Sequence, residues 1–363
     1  MNKGLLRLGI PVLSLLLPAL FVTEGQARRE ILPEAQKQKL KQAERVLLDV
    51  VAITEGGLVD AGKLTEVIAR RMEGLGYAVV TSRKDPYDVV FKVKCEEVKT
   101  WEGTLSSGGD ADLPDSPSRV WKGPACQFEY TVDGKSRGWR KEVRTKFQNA
   151  AQAAREAGVQ DSGAFAMEAL TQRLHEYDFP VKATAEWGQE GRLIALLKND
   201  TLSETRKATV IQSLGHMFST DAVPYIIPAL KDPDLEVAKE AALALGNTGH
   251  KESIKALVEA LKSDQPELQA LAAKGLGKAG PLHADFSIIE PLLEALKTDN
   301  IQVKTEVVWA LGKLPDRRAY EPLLALQQSL FNVNTSDRHS PEGKLWDAVN
   351  YSLKQINTFD MIN

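Results

Sequence analysis

The sequence predicts an α+β N-terminal domain followed by an all-α solenoid of stacked helical pairs, and three observations carry that prediction. The dipeptide Leu-Gly recurs at Leu214-Gly215, Leu245-Gly246, Leu276-Gly277 and Leu311-Gly312. A Leu-Lys stands upstream of each, at Leu197-Lys198, Leu230-Lys231, Leu261-Lys262 and Leu296-Lys297. Two landmarks advancing together by about thirty residues mark a unit that cannot bury its apolar face alone, so neighbours stack into one core. Upstream of residue 188 this repeat gives way to segments in which apolar and polar residues alternate, the period of half-buried strands.

At 363 residues the chain is long enough for two domains with full-sized cores. Its net charge of −3 argues against general nucleic-acid binding. The first 27 residues read as a cleaved signal peptide. Lys3 and Arg7 give a positive start, Leu8 to Val22 are almost wholly apolar, and Gly25-Gln26-Ala27 supplies small residues ahead of a cut before Arg28. No Cys stands near that point, so lipidation is not expected, and the mature chain is expected in the periplasm or secreted. An uncleaved N-terminal anchor is the alternative. The expected divisions are 1–27, an α+β domain over 28–185 and the helical array over 188–363.

Within the first domain Pro33 to Glu44 predicts a polar helix, and Val46 to Ile53 a strand covered on both faces. Asp60 can cap a helix in which Leu64, Val67, Ile68, Met72 and Leu75 recur at helical spacing, with Gly76 at its stop. Ala78 to Thr81 is a short strand. Val89, Phe91, Val93 and Cys95 then alternate with polar residues, as do Cys126, Phe128, Tyr130 and Val132. Antiparallel pairing with Cys95 opposite Cys126 sets Val93 against Phe128 and Phe91 against Tyr130, with both thiols on the apolar face. In an oxidising compartment the pair is expected to form a disulfide worth about 3–4 kcal/mol; two free buried thiols are the alternative. Asp133-Gly134 signals a tight hairpin into a polar strand from Trp139 to Thr145. Helices follow from Asn149 to a break at Gly158, and from Ala164 to Tyr177. This order implies helices on one side of a sheet, and is similar to small α/β domains of bacterial envelope proteins.

Two features of this domain have both a functional and a bland reading. Lys135, Arg137, Trp139, Arg140 and Lys141 could meet an anionic envelope surface, or could simply blunt an exposed edge strand against aggregation. Asp110, Asp112 and Asp115 supply oxygen ligands at close spacing, but not the spacing of an EF-hand, and a polar loop is the simpler reading.

In the array each unit reads as two helices: Val223 to Leu230 then Leu235 to Asn247, Ile254 to Leu261 then Glu267 to Lys278, and Ile288 to Leu296 then Ile301 to Lys313. Tyr320 to Leu330, an insertion from Asn332 to Gly343 and a helix from Leu345 to Ile356 make an irregular last unit, for about five pairs in all. Asp232-Pro233-Asp234, Val237, Ala241-Ala242 and Ala244-Leu245-Gly246 resemble HEAT repeats of the short, phycobilisome-lyase-like type, which implies a HEAT-like solenoid. That family often carries Arg after the Val of the second helix. Lys207, Ala238, Gln269 and Lys304 stand there in this chain, so a buried arginine ladder is not implied.

The repeat register places Lys239 and Thr305 in one row of the second helices, with Ala208 and Ala270. Four residues on lie Gln212, Leu243, Lys274 and Trp309, and then His216, Asn247, Lys278 and Lys313. These residues are the candidate partner-binding ridge, and the resemblance implies that it is the concave side. Leu243 and Trp309 are expected either as exposed binding anchors or as side chains packed between repeats.

Catalytic residues, cofactors and metal ligands are not expected. His175, His216, His250, His283 and His339 are scattered, and those near the turns hold no common register. HEAT-type hydroxylases carry repeated His-Glu pairs, whereas here only His175-Glu176 occurs, outside the array. The expected function is an exported, non-enzymatic adaptor gripping a protein partner. The rival is an envelope accessory or lyase-like enzyme with a site between the two domains.

Overall fold

The computed structural model describes residues 32–103, 119–199, 201–331 and 337–362. The expected signal segment 1–27 and the loop 110–115 lie outside the described residues, as do the side chains of Trp139, Arg140 and Lys141.

The sheet region runs α1 (Glu34–Gln42), β1 (Arg45–Thr54), β2 (Gly57–Val59), α2 (Gly62–Glu73), β3 (Ala78–Val80), β4 (Val89–Gly103), β5 (Arg119–Val132), β6 (Lys135–Arg144), α3 (Ala150–Glu156), α4 (Ser162–Glu176) and α5 (Phe179–Glu186). Among the described residues six strands form one mixed sheet in the order β2–β1–β4–β5–β6. β3 shares the outer side of β1 with β2, pairing parallel with Arg45 to Leu47 while β2 pairs antiparallel with Ala52 to Thr54. β1 and β4 are parallel, whereas β4, β5 and β6 form an antiparallel meander. β6 is therefore an edge strand, and Asp133 and Gly134 turn the chain into it with positive φ, as a tight hairpin requires.

The paired strands carry the register that alternation predicts: Cys95 faces Cys126, Val93 faces Phe128 and Phe91 faces Tyr130. The two cysteines form a disulfide and both are fully buried. In the folded, non-reduced protein neither should take a maleimide label, and both should do so after reduction and unfolding. Labelling at both positions before reduction would rule the bridge out.

Several element starts differ from the sequence reading, β6 among them, which begins at Lys135 and not at Trp139. α2 begins at Gly62 with Ala61 as its N-cap, and Asp60, one residue further out, accepts the Gly62 N–H at 3.1 Å. α4 begins at Ser162 because Asp161 accepts the Ala164 N–H at 2.9 Å.

The helical region contains α6 (Glu190–Leu197), α7 (Glu204–His216), α8 (Val223–Ile226), α9 (Leu235–Thr248), α10 (Lys251–Ala260), α11 (Pro266–His283), α12 (Ile289–Ala295), α13 (Ile301–Lys313), α14 (Tyr320–Leu330) and α15 (Pro341–Ile362). The first helix of the second unit is shorter than its apolar pattern implies. Pro228 has no N–H to donate, and the chain tightens from α8 into a 3-10 turn over Ile227–Lys231. Asp234 and Asn300 cap α9 and α13 with their side-chain oxygens.

The sheet region and the array share one core. Phe179 and Trp187, at the two ends of α5, are both buried against the sheet. The Phe179 ring lies 5.2 Å from Phe128 and 6.1 Å from Phe91, and Trp187 meets Tyr77, Phe91 and Tyr130 edge-on at 5.5 to 6.1 Å. Polar contacts tie the same seam. Gln189 donates to the Leu40 and Ala43 carbonyls at 2.6 and 2.9 Å and accepts from the Tyr77 hydroxyl at 3.0 Å. Burial pushes that hydroxyl up to about 12. Arg192 adds a bond to the Leu75 carbonyl at 3.1 Å.

Candidate functional site

The candidate site is built on the second helix of each pair, and the recurrent glycines explain how that layer forms. A Cβ placed on Gly215 would lie 2.6 Å from the Ala244 Cα, one on Gly246 2.5 Å from the Gly275 Cα, and one on Gly277 2.9 Å from the Ala310 Cα. Gly312 meets Ser352 in the same way. Each Leu-Gly landmark is thus a crossing point at which α7, α9, α11, α13 and α15 lie side by side with no room for a methyl group. Gly246→Ala should therefore cost about 1–3 kcal/mol through overpacking, read as a lower urea midpoint. An unchanged midpoint would contradict this packing.

The crossing points also fix the register. Ala244, Gly275, Ala310 and Ser352 each follow a ridge residue: Leu243, Lys274, Trp309 and Tyr351. α15 is therefore the fifth member of the layer. Its Tyr351 continues the row of Gln212, Leu243, Lys274 and Trp309, and the Ser352 hydroxyl locks the helix by donating to the Val308 carbonyl at 2.8 Å. Sequence reading misses Tyr351, because the insertion before α15 lengthens the step that carries the register.

Of the predicted ridge residues, His216, Lys274, Lys278 and Lys313 are exposed, whereas Gln212, Lys239, Leu243, Asn247, Thr305 and Trp309 are half-buried. Trp309 is half-buried and packs against the core. Its ring lies 5.0 Å from that of Tyr351, and the two make an aromatic platform near the C-terminal end of the ridge. Leu243 is likewise half-buried.

Charge is distributed unevenly along the row. Toward α7, Gln212 donates to Glu240 at 3.2 Å and Lys239 pairs with Glu236 at 2.6 Å. Burial holds the Glu240 carboxyl above its usual range, despite the Gln212 bond and the nearby His216. Toward α13, Lys278 donates to Asn247 Oδ1 at 2.6 Å. Partial desolvation pulls the Lys278 ammonium below the ordinary lysine range, and Lys274 and Lys313 act in the same direction.

Lys207, at the ladder position of α7, reaches Asp232 of the next unit at 2.5 Å. Desolvation alone would raise the Asp232 carboxyl, but the Lys207 bond and charge together with the Asp234 N–H outweigh it and hold the group below its usual range. The turn histidines serve the fold. His250 caps α10 by accepting the Glu252 N–H at 3.3 Å, and His283 bonds the Gly249 carbonyl at 2.8 Å. Among the described residues no group of three or more His, Cys, Asp or Glu converges as a metal ion would require.

The HEAT-repeat family matches residues 192–277 and 254–329. The C-terminal half carries HEAT repeats. The array also aligns with solved repeat proteins. One engineered protein is 23% identical over 50% of this chain and 84% of its own, with a TM-score of 0.38. A designed armadillo repeat protein in complex with the peptide (KR)4 is 18% identical over 52% of this chain and 94% of its own, with a TM-score of 0.39. Comparison with curated proteins finds no match. A HEAT array is typically a non-catalytic fold that presents a long ridged surface to another protein.

Proposed function

We propose that the protein is an exported, non-enzymatic adaptor that binds a protein partner along the concave ridge of its HEAT array, while the sheet region docks to the envelope or to a second protein. The observation that carries this reading is the continuity of the ridge. Five helices in one register present polar side chains around a half-exposed aromatic pair, the composition of a binding hot spot with a polar rim. Export rests on the positively charged, apolar and small-residue order of the first 27 residues. N-terminal sequencing of the exported protein should begin at or near Arg28, and recovery of Met1 would reject cleavage. The basic edge strand β6, with Lys135 exposed, suits a weak contact with anionic envelope surfaces.

Trp309→Ala tests the ridge. Because the ring is half-buried against Tyr351, truncation should cost only about 1–2 kcal/mol of stability. It should weaken partner binding by about 2 kcal/mol or more. The binding readout is a pull-down from envelope extracts with the wild-type and mutant chains side by side. A partner retained equally by both would remove Trp309 from the interface.

A further inference from the structure

One end of the ridge carries three lysines that, among the described residues, form no ion pair with a carboxylate. Lys274 and Lys278 stand on α11 and Lys313 on α13, and the Lys278 ammonium feels both of the others. Among the described residues neither Lys274 nor Lys313 pairs with a carboxylate, and Lys278 has only the neutral Asn247 as a bonded partner, with Glu306 near enough to oppose the crowding. The other end differs: there Lys239 is matched by Glu236, and Glu240 is bonded to Gln212. The aromatic pair Trp309–Tyr351 lies at the cationic end, with Trp309 in the same row as Lys274 and one helical turn from Lys313. Three crowded ammoniums beside a half-exposed aromatic surface call for a ligand that brings carboxylates and an apolar group together.

We propose that this end of the ridge receives an acidic peptide segment of the partner, with its carboxylates among Lys274, Lys278 and Lys313 and an apolar side chain on the Trp309–Tyr351 platform. This inference rests on the ridge being the partner-binding face. Carboxylates there would form charge-assisted hydrogen bonds and relieve like-charge repulsion. A peptide fits better than an extended polyanion. A duplex or a membrane plane laid along the ridge would also meet Glu236 and Glu240, and the chain as a whole is negative, at −3.

The test is fluorescence anisotropy on the full chain with four labelled peptides: three in which glutamates, glutamines or lysines flank a single phenylalanine, and one in which glutamates flank a glycine. The glutamate peptide should bind at least about tenfold more tightly than the glutamine peptide, with an affinity that falls as salt rises. The triple variant Lys274→Gln, Lys278→Gln, Lys313→Gln should bring the two to the same affinity. Trp309→Ala should weaken the glutamate–phenylalanine peptide but leave a glutamate–glycine version unchanged. A circular-dichroism melt confirms that each variant is folded. If the glutamine or lysine peptide binds as tightly as the glutamate peptide and still depends on Trp309, the acidic specificity is wrong and the ridge reading stands. If no peptide binds, or binding ignores every ridge substitution, both fall. Tighter binding to phosphatidylglycerol vesicles or duplex DNA than to the glutamate peptide would overturn the peptide in favour of a polyanion.

Discussion

Asp178→Ala is expected to destabilise the protein by about 3–5 kcal/mol, the cost of leaving a buried guanidinium without its counter-charge. Asp178 is buried at the junction between the sheet region and the array. Its carboxylate accepts from Arg71 of α2 at 2.8 Å, and Arg206 of α7 lies 3.1 Å away as an ion pair whose N–H is not aligned for a hydrogen bond. Arg71 also donates to the carbonyls of Leu174, His175 and Tyr177, and its guanidinium covers the Phe179 ring at 5.3 Å. Burial and the neighbouring Arg206 both pull Arg71 below the ordinary arginine range, while Asp178 opposes them. Removing Asp178 therefore sets two guanidinium groups against each other without a carboxylate between them. The measurement is urea unfolding followed by circular dichroism, with Asp178→Asn as the variant that keeps an acceptor and loses the charge. Asparagine should fall between wild type and alanine. A cost for alanine below about 1 kcal/mol, the range of exposed ion pairs, would show that the junction does not depend on this charge.

The sequence holds the two ends of this protein more clearly than the seam between them. Cys95 and Cys126 could be set opposite each other because period-two alternation flanks both, and a shift of one residue would turn every apolar side chain outward. The Leu-Gly landmarks could be aligned because each glycine answers the same steric demand at a helix crossing. Asp178 has no such pattern around it. It stands at the N-cap of α5, yet its side chain makes no capping bond and serves the guanidiniums of two distant helices instead. β3 is equally silent: three residues cannot reveal that they pair in parallel with β1. On the ridge, the lysines and Trp309 follow from register alone. Their neighbour Tyr351 does not, because the insertion breaks the spacing and only the contact of Gly312 with Ser352 restores it.

Trp187 is the second place where sequence periodicity falls silent, and its truncation is expected to be comparably damaging. It follows α5, at the seam between the two regions, and is 1% exposed. Tyr77, Phe91 and Tyr130 all present their rings to it edge-on, so one side chain fastens the start of the array to β4, β5 and the approach to β3. Trp187→Ala should cost about 3–5 kcal/mol, because the surrounding rings belong to three separate segments of the chain and cannot close on the void together. Among the described residues the indole N–H has no hydrogen-bond partner, so the contribution of this residue is its volume and edge-to-face packing, not a polar contact. That separates two explanations by one further substitution. Trp187→Phe removes an unpartnered donor while keeping most of the apolar bulk, so its cost should stay below about 2 kcal/mol. Thermal melts of both variants decide the matter. If phenylalanine is as costly as alanine, the indole is held by a bond that packing does not supply, and the seam is polar at its centre. If alanine is tolerated, the array does not lean on the sheet through this residue, and the two regions unfold in separate transitions.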